Sequence, residues 1–307
     1  MSHILHLVVD QANHKTRFDI AATRLSGLSR NKIRQLIDSG LAFLNKQRIW
    51  IAKFQVKQGD ILELMVESRN FKSSLDTDFQ PSSIIVDNAD FLVINKPAGI
   101  AVDTASNNII NYLKKFNSKY SNLLLAHRLD KDTSGLLILV KRESVRREFE
   151  QIFKERRIHK IYHTICFDTP KPEEGEIIFP IVRHSQGKNK YFAITSKDIP
   201  NPKAKSAKTS YKLIHSFTDK RLSYLECIPH TGRPHQIRVH LKSIGNPVLG
   251  DKVYANHLQH HPYWQKATRQ MLHAYSLKFK FAGQEYNLTA PIPSDFENIL
   301  KEFRLNS

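Results

Sequence analysis

His127-Arg128-Leu129-Asp130-Lys131-Asp132-Thr133-Ser134-Gly135 runs straight into Leu136-Leu137-Ile138-Leu139-Val140. An unbroken apolar run of this length after Ser-Gly reads as a buried strand. The polar residues before it then form a tight turn, and Asp130 is a carboxylate held in place on that turn. Outward from it, Ile84-Ile85-Val86 and Phe91-Leu92-Val93-Ile94 read as strands leading into Asn95-Lys96-Pro97-Ala98-Gly99, whose Pro and Gly suit a turn. Ser144 to Arg157 reads as a helix with Val145, Phe149, Ile152 and Phe153 on one face. The rest reads as short strands alternating with polar loops such as the Lys-rich Gln186 to Lys208, and no internal repeat is visible. These segments predict an α+β domain over residues 84–307, built on a mixed, mostly antiparallel sheet with peripheral helices.

Upstream the periodicity changes. Phe18, Ala21, Ala22 and Leu25 fall on one helical face. After Ser29, an N-cap, so do Ile33, Leu36 and Ile37, until Gly40 stops the second helix. Leu41 to Leu44, a turn at Asn45-Lys46, Ile49 to Phe54, and Ile61 to Val66 after Gly59-Asp60 read as a small sheet. Residues 1–66, with a core from about 16, are expected to form a small separate domain. Residues 67–83, polar and without hydrophobic period, are expected to link the two domains.

The chain carries 47 Lys and Arg against 29 Asp and Glu over 307 residues, a formal net charge of +18. Such an excess favours a polyanionic partner through counterion release and long-range steering, with nucleic acid ahead of an anionic membrane surface. No window approaches the ~18 apolar residues of a membrane span. Met1 to Asn13 lacks the basic start and apolar core of a signal peptide, so a cytoplasmic protein is expected. Cys166 and Cys227 have no partners at metal-ligand spacing and read as free, buried thiols.

A second block, Thr231-Gly232-Arg233-Pro234-His235-Gln236-Ile237-Arg238-Val239-His240-Leu241, follows the Asp130 motif at a distance of about a hundred residues. Together with Asn95-Lys96-Pro97-Ala98-Gly99 and Lys160-Ile161-Tyr162, the two blocks resemble the RluA family of RNA pseudouridine synthases. Gly245 to Asp251, Leu272-His273-Ala274 and Ala290-Pro291-Ile292-Pro293 extend that resemblance over nearly the whole chain. Pro234 stands where relatives have Thr or Ser, and Asp103 where many have His. The N-terminal region is similar to an S4 RNA-binding domain through Arg17-Phe18-Asp19, Ser29 to Ile37, Leu44-Asn45 and Val56 to Asp60. Arg30, Lys32, Arg34, Lys46, Arg48 and Lys53 fit a phosphate-facing surface there, and fit equally the solvated faces of short elements.

The resemblance implies conversion of uridine in RNA to pseudouridine by a cofactor-free, metal-free monomer. Large-subunit (23S) ribosomal RNA or a pre-ribosomal particle is the favoured substrate and transfer RNA the second. The rival from another class is a non-catalytic RNA-binding or ribosome-assembly factor on the same fold. Asp130 matches the catalytic Asp, which acts on the sugar as nucleophile or as base. Arg238 matches the residue that pairs with it, and a guanidinium there favours and orients the ionised carboxylate. Tyr162 matches the tyrosine that stacks on the base, with Ile237 as an apolar wall. Lys160, His127, Arg128 and Arg233 are the expected substrate contacts, with His127 packing at the base of its motif. Asp132 reads as a solvated turn residue. A nuclease or glycosidase would need a second carboxylate or a metal cluster beside Asp130, and no pair is evident. His230, His235 and His240, spaced by five and read as extended, would send alternate members to opposite faces and so offer no zinc site.

Overall fold

The structure, a computed structural model, describes residues 2–38, 41–49, 51–67, 83–102, 108–184, 190–195, 198 and 201–304. The chain divides into two units, Met1–Asp76 and Thr77–Ser307. In the first, β1 (Ser2–Val8), α1 (Phe18–Ser26), α2 (Arg30–Asp38), β2 (Ala42–Leu44), β3 (Gln47–Arg48) and β4 (Ile61–Glu67) form a sheet in the order β1-β4-β2-β3, joined to both helices by one apolar cluster. Phe18, Ala21, Ala22, Ile33, Leu36 and Ile37 are buried in it, as their spacing predicts. Ser29 Oγ accepts the Lys32 amide at 3.3 Å at the start of α2. Asn45 and Lys46 both take left-handed backbone (φ 49° and 67°), the geometry a two-residue hairpin demands.

The sequence reading of this unit needs two corrections. It misses the strand β1, which precedes the expected core. Ile49 to Phe54 is not a strand, because its carbonyl groups are used elsewhere: Ala52 and Phe54 accept the amides of Asp19 and Phe18 at 3.1 and 2.7 Å. These are orphan donors of the first turn of α1, whose N-cap, Arg17, offers no side-chain acceptor. Gly40, Asp103 and the proposed linker, apart from Glu67 and Ser83, lie outside the described residues.

The second unit contains β5 (Ile84–Asp87), β6 (Phe91–Lys96), α3 (Ile109–Phe116), β7 (Leu124–Leu125), β8 (Ser134–Val140), α4 (Glu143–Lys154), β9 (Ile158–Phe167), β10 (Glu174–Ile177), β11 (Ile181–Arg183), β12 (Tyr191–Ala193), β13 (Thr209–Phe217), β14 (Leu222–Pro229), α5 (Gln236–Ser243), β15 (Leu272–Phe281), β16 (Gln284–Thr289) and α6 (Ser294–Arg304). Its main sheet runs β10-β13-β14-β9-β15-β8-β6-β5, with β16 on β15 and β7 on β8. Every described pairing of strands in it is antiparallel except β8 with β15. All seven residues of β8 are buried, because alternate members serve different clusters. Leu137 and Leu139 pack with Ile109 and Leu113 of α3, whereas Leu136, Ile138 and Val140 pack with Val145, Phe149 and Ile152 of α4. A strand covered on both faces reads as a continuous apolar run.

The register of three strands positions the site. Ala274 of β15 pairs with Gly135 of β8 on one side and with Tyr162 of β9 on the other. Gly135 is required by that approach: at φ 110°, a Cβ there would lie 2.2 Å from the Ala274 carbonyl oxygen. The segment from Gln236, expected to be extended, is the helix α5. Gln236 Oε1 accepts the Arg233 amide and the Thr231 hydroxyl at 3.0 and 2.6 Å, folding the chain back just before the first turn.

Candidate active site

Asp130 opens a β-turn closed by the Thr133 amide, which donates to the Asp130 carbonyl at 3.1 Å. The turn is clamped from below. Lys96, wholly buried at the end of β6, donates from Nζ to the carbonyl oxygens of Pro97, Ile100 and Lys131 at 2.8, 3.0 and 3.0 Å. Burial pulls its pKa down to about 7, yet three acceptors on one nitrogen call for the ammonium form, the only one with three N–H groups. Arg269 is held bidentately by Asp295 at 2.7 and 3.0 Å, and donates to the Asp132 carbonyl and Ser134 Oγ at 3.1 Å each. Gln270 donates to Thr133 Oγ1 at 2.8 Å, and Ser134 Oγ meets His273 Nδ1 at 2.9 Å. With its backbone fixed in this way, Asp130 keeps a side chain 26% exposed.

The helix α5 brings Arg238 to it. Arg238 Nη1 donates to Asp130 Oδ2 at 2.7 Å, while Nε and Nη2 donate to the two oxygens of Asp251 at 2.7 and 2.9 Å. The guanidinium is 5% exposed and the Asp251 side chain 0%. Burial opposes its charge, but the Asp251 and Asp130 carboxylates outweigh burial and raise its pKa. Asp251 is itself anchored by the Val253 and Tyr254 amides, which donate to Oδ1 at 2.9 and 3.1 Å. Gly250 before it has φ 75° and no room for a Cβ, which would fall 2.0 Å from the Arg269 carbonyl oxygen. Sequence reasoning misses Asp251. The Gly250-Asp251 pair belongs to one of the family's motifs, but nothing local tells a buried counterion from a turn carboxylate.

His235 stands out in the sequence only as one of three spaced histidines. It takes left-handed backbone (φ 55°), a conformation that costs a non-glycine residue on the order of 1 kcal/mol, and places Nε2 3.9 Å from Asp130 Oδ1. Its Nδ1 meets the Tyr254 hydroxyl at 2.8 Å, and burial lowers its pKa against the pull of Asp130. Asp130 Oδ2 is therefore committed to Arg238, whereas Oδ1 accepts no hydrogen bond among the described residues.

Tyr162 packs against two clusters, one containing Leu129 and Ala274 and the other Ile237, which is 5% exposed. Burial raises the Tyr162 phenol pKa and the Asp130 charge adds to the effect. Lys160, half-buried two residues before it, lies 5.9 Å over the Phe153 ring, and burial brings it down to about 8. His127 accepts the Ile138 amide on Nε2 at 3.0 Å and lies against Phe153, so it secures the base of the motif. Arg128 is exposed, and Arg233 donates from Nε to the Ser206 carbonyl at 2.9 Å. His230, His235 and His240 stand at the end of β14, the cap of α5 and inside α5 rather than along a strand, and each ring is engaged: with Ser210, with Tyr254, and with Thr209 and the Phe179 carbonyl.

In the first unit Arg30 and Arg34, together with Arg17, converge on Asp19, whose side chain is 0% exposed. Burial works against the Asp19 charge, and the guanidinium groups of Arg30, Arg17 and Arg34 override it and lower its pKa. Lys32 is half-buried on α2; Lys46, Arg48 and Lys53 are exposed on and after the β2–β3 hairpin, Arg48 over the Phe43 ring.

A deep mixed sheet with a clamped, partly exposed carboxylate, a buried arginine and a tyrosine two strands away defines a class. Residues 90–243 match the RNA pseudouridylate synthase family, and the chain belongs to it. Among individual relatives, it is 36% identical over 221 residues, 70% of each chain, to ribosomal large subunit pseudouridine synthase C of Rickettsia bellii. It is 31% identical over 304 residues, 93% of each chain, to ribosomal large subunit pseudouridine synthase D of Zymomonas mobilis. The solved structure of human RNA pseudouridylate synthase domain containing 4 superposes with a TM-score of 0.60 at 27% identity, covering 73% of this chain and 93% of that one. No helix among the described residues is long and apolar enough to cross a membrane.

Proposed function

We propose that this protein isomerises specific uridines of large-subunit ribosomal RNA to pseudouridine, with Asp130 as the catalytic residue. The two relatives named for large-subunit synthases support the substrate. The observation that carries the chemistry is the asymmetry of Asp130, with Oδ2 tied to Arg238 and Oδ1 presented beside His235. The reaction breaks the N1–C1′ bond, turns the detached uracil and forms the C5–C1′ bond; N1 gains a proton and C5 loses one, so no cofactor enters the balance. An ionised carboxylate serves either route to bond cleavage, as nucleophile at C1′ or as base at the 2′ side. Arg238 holds that carboxylate through Nη1, and Asp251 holds Arg238 through Nε and Nη2. Tyr162 supplies the stacking face; base–aromatic stacking is worth ~1–3 kcal/mol and offsets part of the few kcal/mol needed to flip a nucleotide out of its stack. The clamp of Lys96, Arg269 and Gln270 keeps the turn in register, which matters because about 1 Å of misplacement can cost 10²-fold in rate.

The first unit fits an S4-type RNA-binding module, supported by the Arg17, Arg30 and Arg34 cluster. Two free, buried cysteines agree with work in the reducing cytoplasm. Mapping pseudouridine across ribosomal and transfer RNA from cells with and without the gene tests the assignment. Loss of pseudouridine at defined large-subunit positions is expected. An unchanged ribosomal map with sites lost from transfer RNA would replace the substrate, and no change in either would refute the activity.

A further inference from the structure

A cavity of about 440 Å³ lies between β12 and α5, joined to the Asp130 site through Tyr254 and His235. Tyr191, Phe192 and Tyr254 provide its rings, Val239 its floor, and Lys190 and Lys242 its cations. Tyr254 is the shared wall. Its hydroxyl accepts the Tyr191 amide at 2.9 Å and meets His235 Nδ1 at 2.8 Å, and the other nitrogen of His235 lies 3.9 Å from Asp130. Arg238 and Lys242, one turn apart on α5, lie over the Tyr254 ring at 5.1 and 5.9 Å.

Three features make this a place for a nucleotide. Phe192, which meets the His184 ring edge-on at 6.0 Å, is still 38% exposed at the cavity, whereas Val239 and Tyr254 are 2% exposed and close its buried side. Lys190 and Lys242 are exposed and make no ion pair among the described residues; the one lining carboxylate, Asp198, is occupied by the amide and hydroxyl of Thr195 at 2.7 Å each. Aromatic faces flanked by lysines bind single-stranded nucleic acid by stacking the base and neutralising its phosphate, with little base selectivity. Flipping the target uridine removes one stacking partner from each neighbour, and a neighbour that left the stack on the α5 side would meet this cavity.

We propose that the cavity is a second nucleotide subsite, holding the base of a residue adjacent to the target uridine against the exposed ring of Phe192, with its phosphate on Lys242 or Lys190. The inference rests on the reading of Asp130 as the uridine site. The test uses the full chain with hexauridylate bearing a single 5-iodouridine at each position in turn, irradiated and mapped by mass spectrometry, together with hexauridylate affinity. Two groups of adducts are expected, one at Tyr162 and one at Tyr191, Phe192 or Tyr254. Phe192→Ala combined with Lys242→Ala should remove the second group and weaken binding about tenfold, or about 1.4 kcal/mol, while Phe192→Tyr should restore most of the affinity. Phe192 is surface-exposed, so its replacement leaves the core intact. Adducts confined to Tyr162, or affinity unmoved in the double variant, would overturn the subsite and leave the active site standing. Absence of adducts at both places would overturn the two together.

Discussion

Asp130 and Asp19 are both carboxylates met by arginine, but they differ in which partner faces solvent. At Asp130 the arginine is 5% exposed and the carboxylate 26%; at Asp19 the carboxylate is 0% exposed and Arg17, Arg30 and Arg34 are 31%, 44% and 38% exposed. The first arrangement displays a carboxylate oxygen steadied by a hidden cation. The second displays cations steadied by a hidden anion and leaves a surplus of positive charge for a polyanion. The same ion-pair chemistry thus presents an anion at the proposed catalytic site and cations at the proposed phosphate surface, according to which member is buried.

The comparison breaks most readily at Arg238. Arg238→Met leaves Asp130 and Asp251 facing each other without their shared cation, and single-turnover pseudouridine formation should fall on the order of 10³-fold. A rate close to that of the unaltered protein would make Arg238 a packing residue. Asp251→Asn keeps the volume and removes the anchor. It should lower the rate at saturating RNA about 10²-fold with little change in KM, because the arginine remains but is no longer aimed. An effect on KM alone would contradict a positioning role.

Acid should unfold the second unit through groups that Asp130 does not share. Burial lowers His163 and His273 to about 4 and His127 to about 3. The unfolded chain takes up these protons near the ordinary histidine value of about 6.5, before the folded chain does, so stability is present above that pH and is lost as pH falls toward 4. Thermal unfolding should register a loss on the order of a few kcal/mol between those limits, and His273→Gln should reduce that dependence. The smallest effect belongs to the first unit. Removing Arg30 and Arg34 together should flatten the salt dependence of RNA binding by about 0.7–0.9 for each phosphate no longer neutralised, without altering the rate on a saturating short substrate. An unchanged slope would show these arginines to be only the shell of Asp19.

How much of the fold is legible in the sequence follows from how locally each feature is encoded. The run Leu136–Val140 and the face Val145, Phe149, Ile152 carry their own periods, so β8 and α4 can be read directly. The helix α5 cannot, because Gln236-Ile237-Arg238-Val239-His240-Leu241 alternates polar and apolar residues with the period of a strand, and its polar members are buried along with the apolar ones. Ile49 to Phe54 has strand composition, but its carbonyls are drawn to the amides of Phe18 and Asp19 at the start of α1, a demand set far away in the chain. Asp130, Tyr162 and Arg238 are recognisable through motif resemblance; Asp251 and Tyr254 emerge only once the chain folds them against α5.

Single-turnover tritium release from carbon-5-labelled uridine RNA, with RNA affinity measured in parallel, tests the central claim on Asp130→Asn most directly. The substitution keeps the size of the side chain and removes its charge. Release should fall at least about 10³-fold with affinity nearly unchanged. Appreciable turnover by Asp130→Asn would contradict that claim and take the catalytic role away from Asp130.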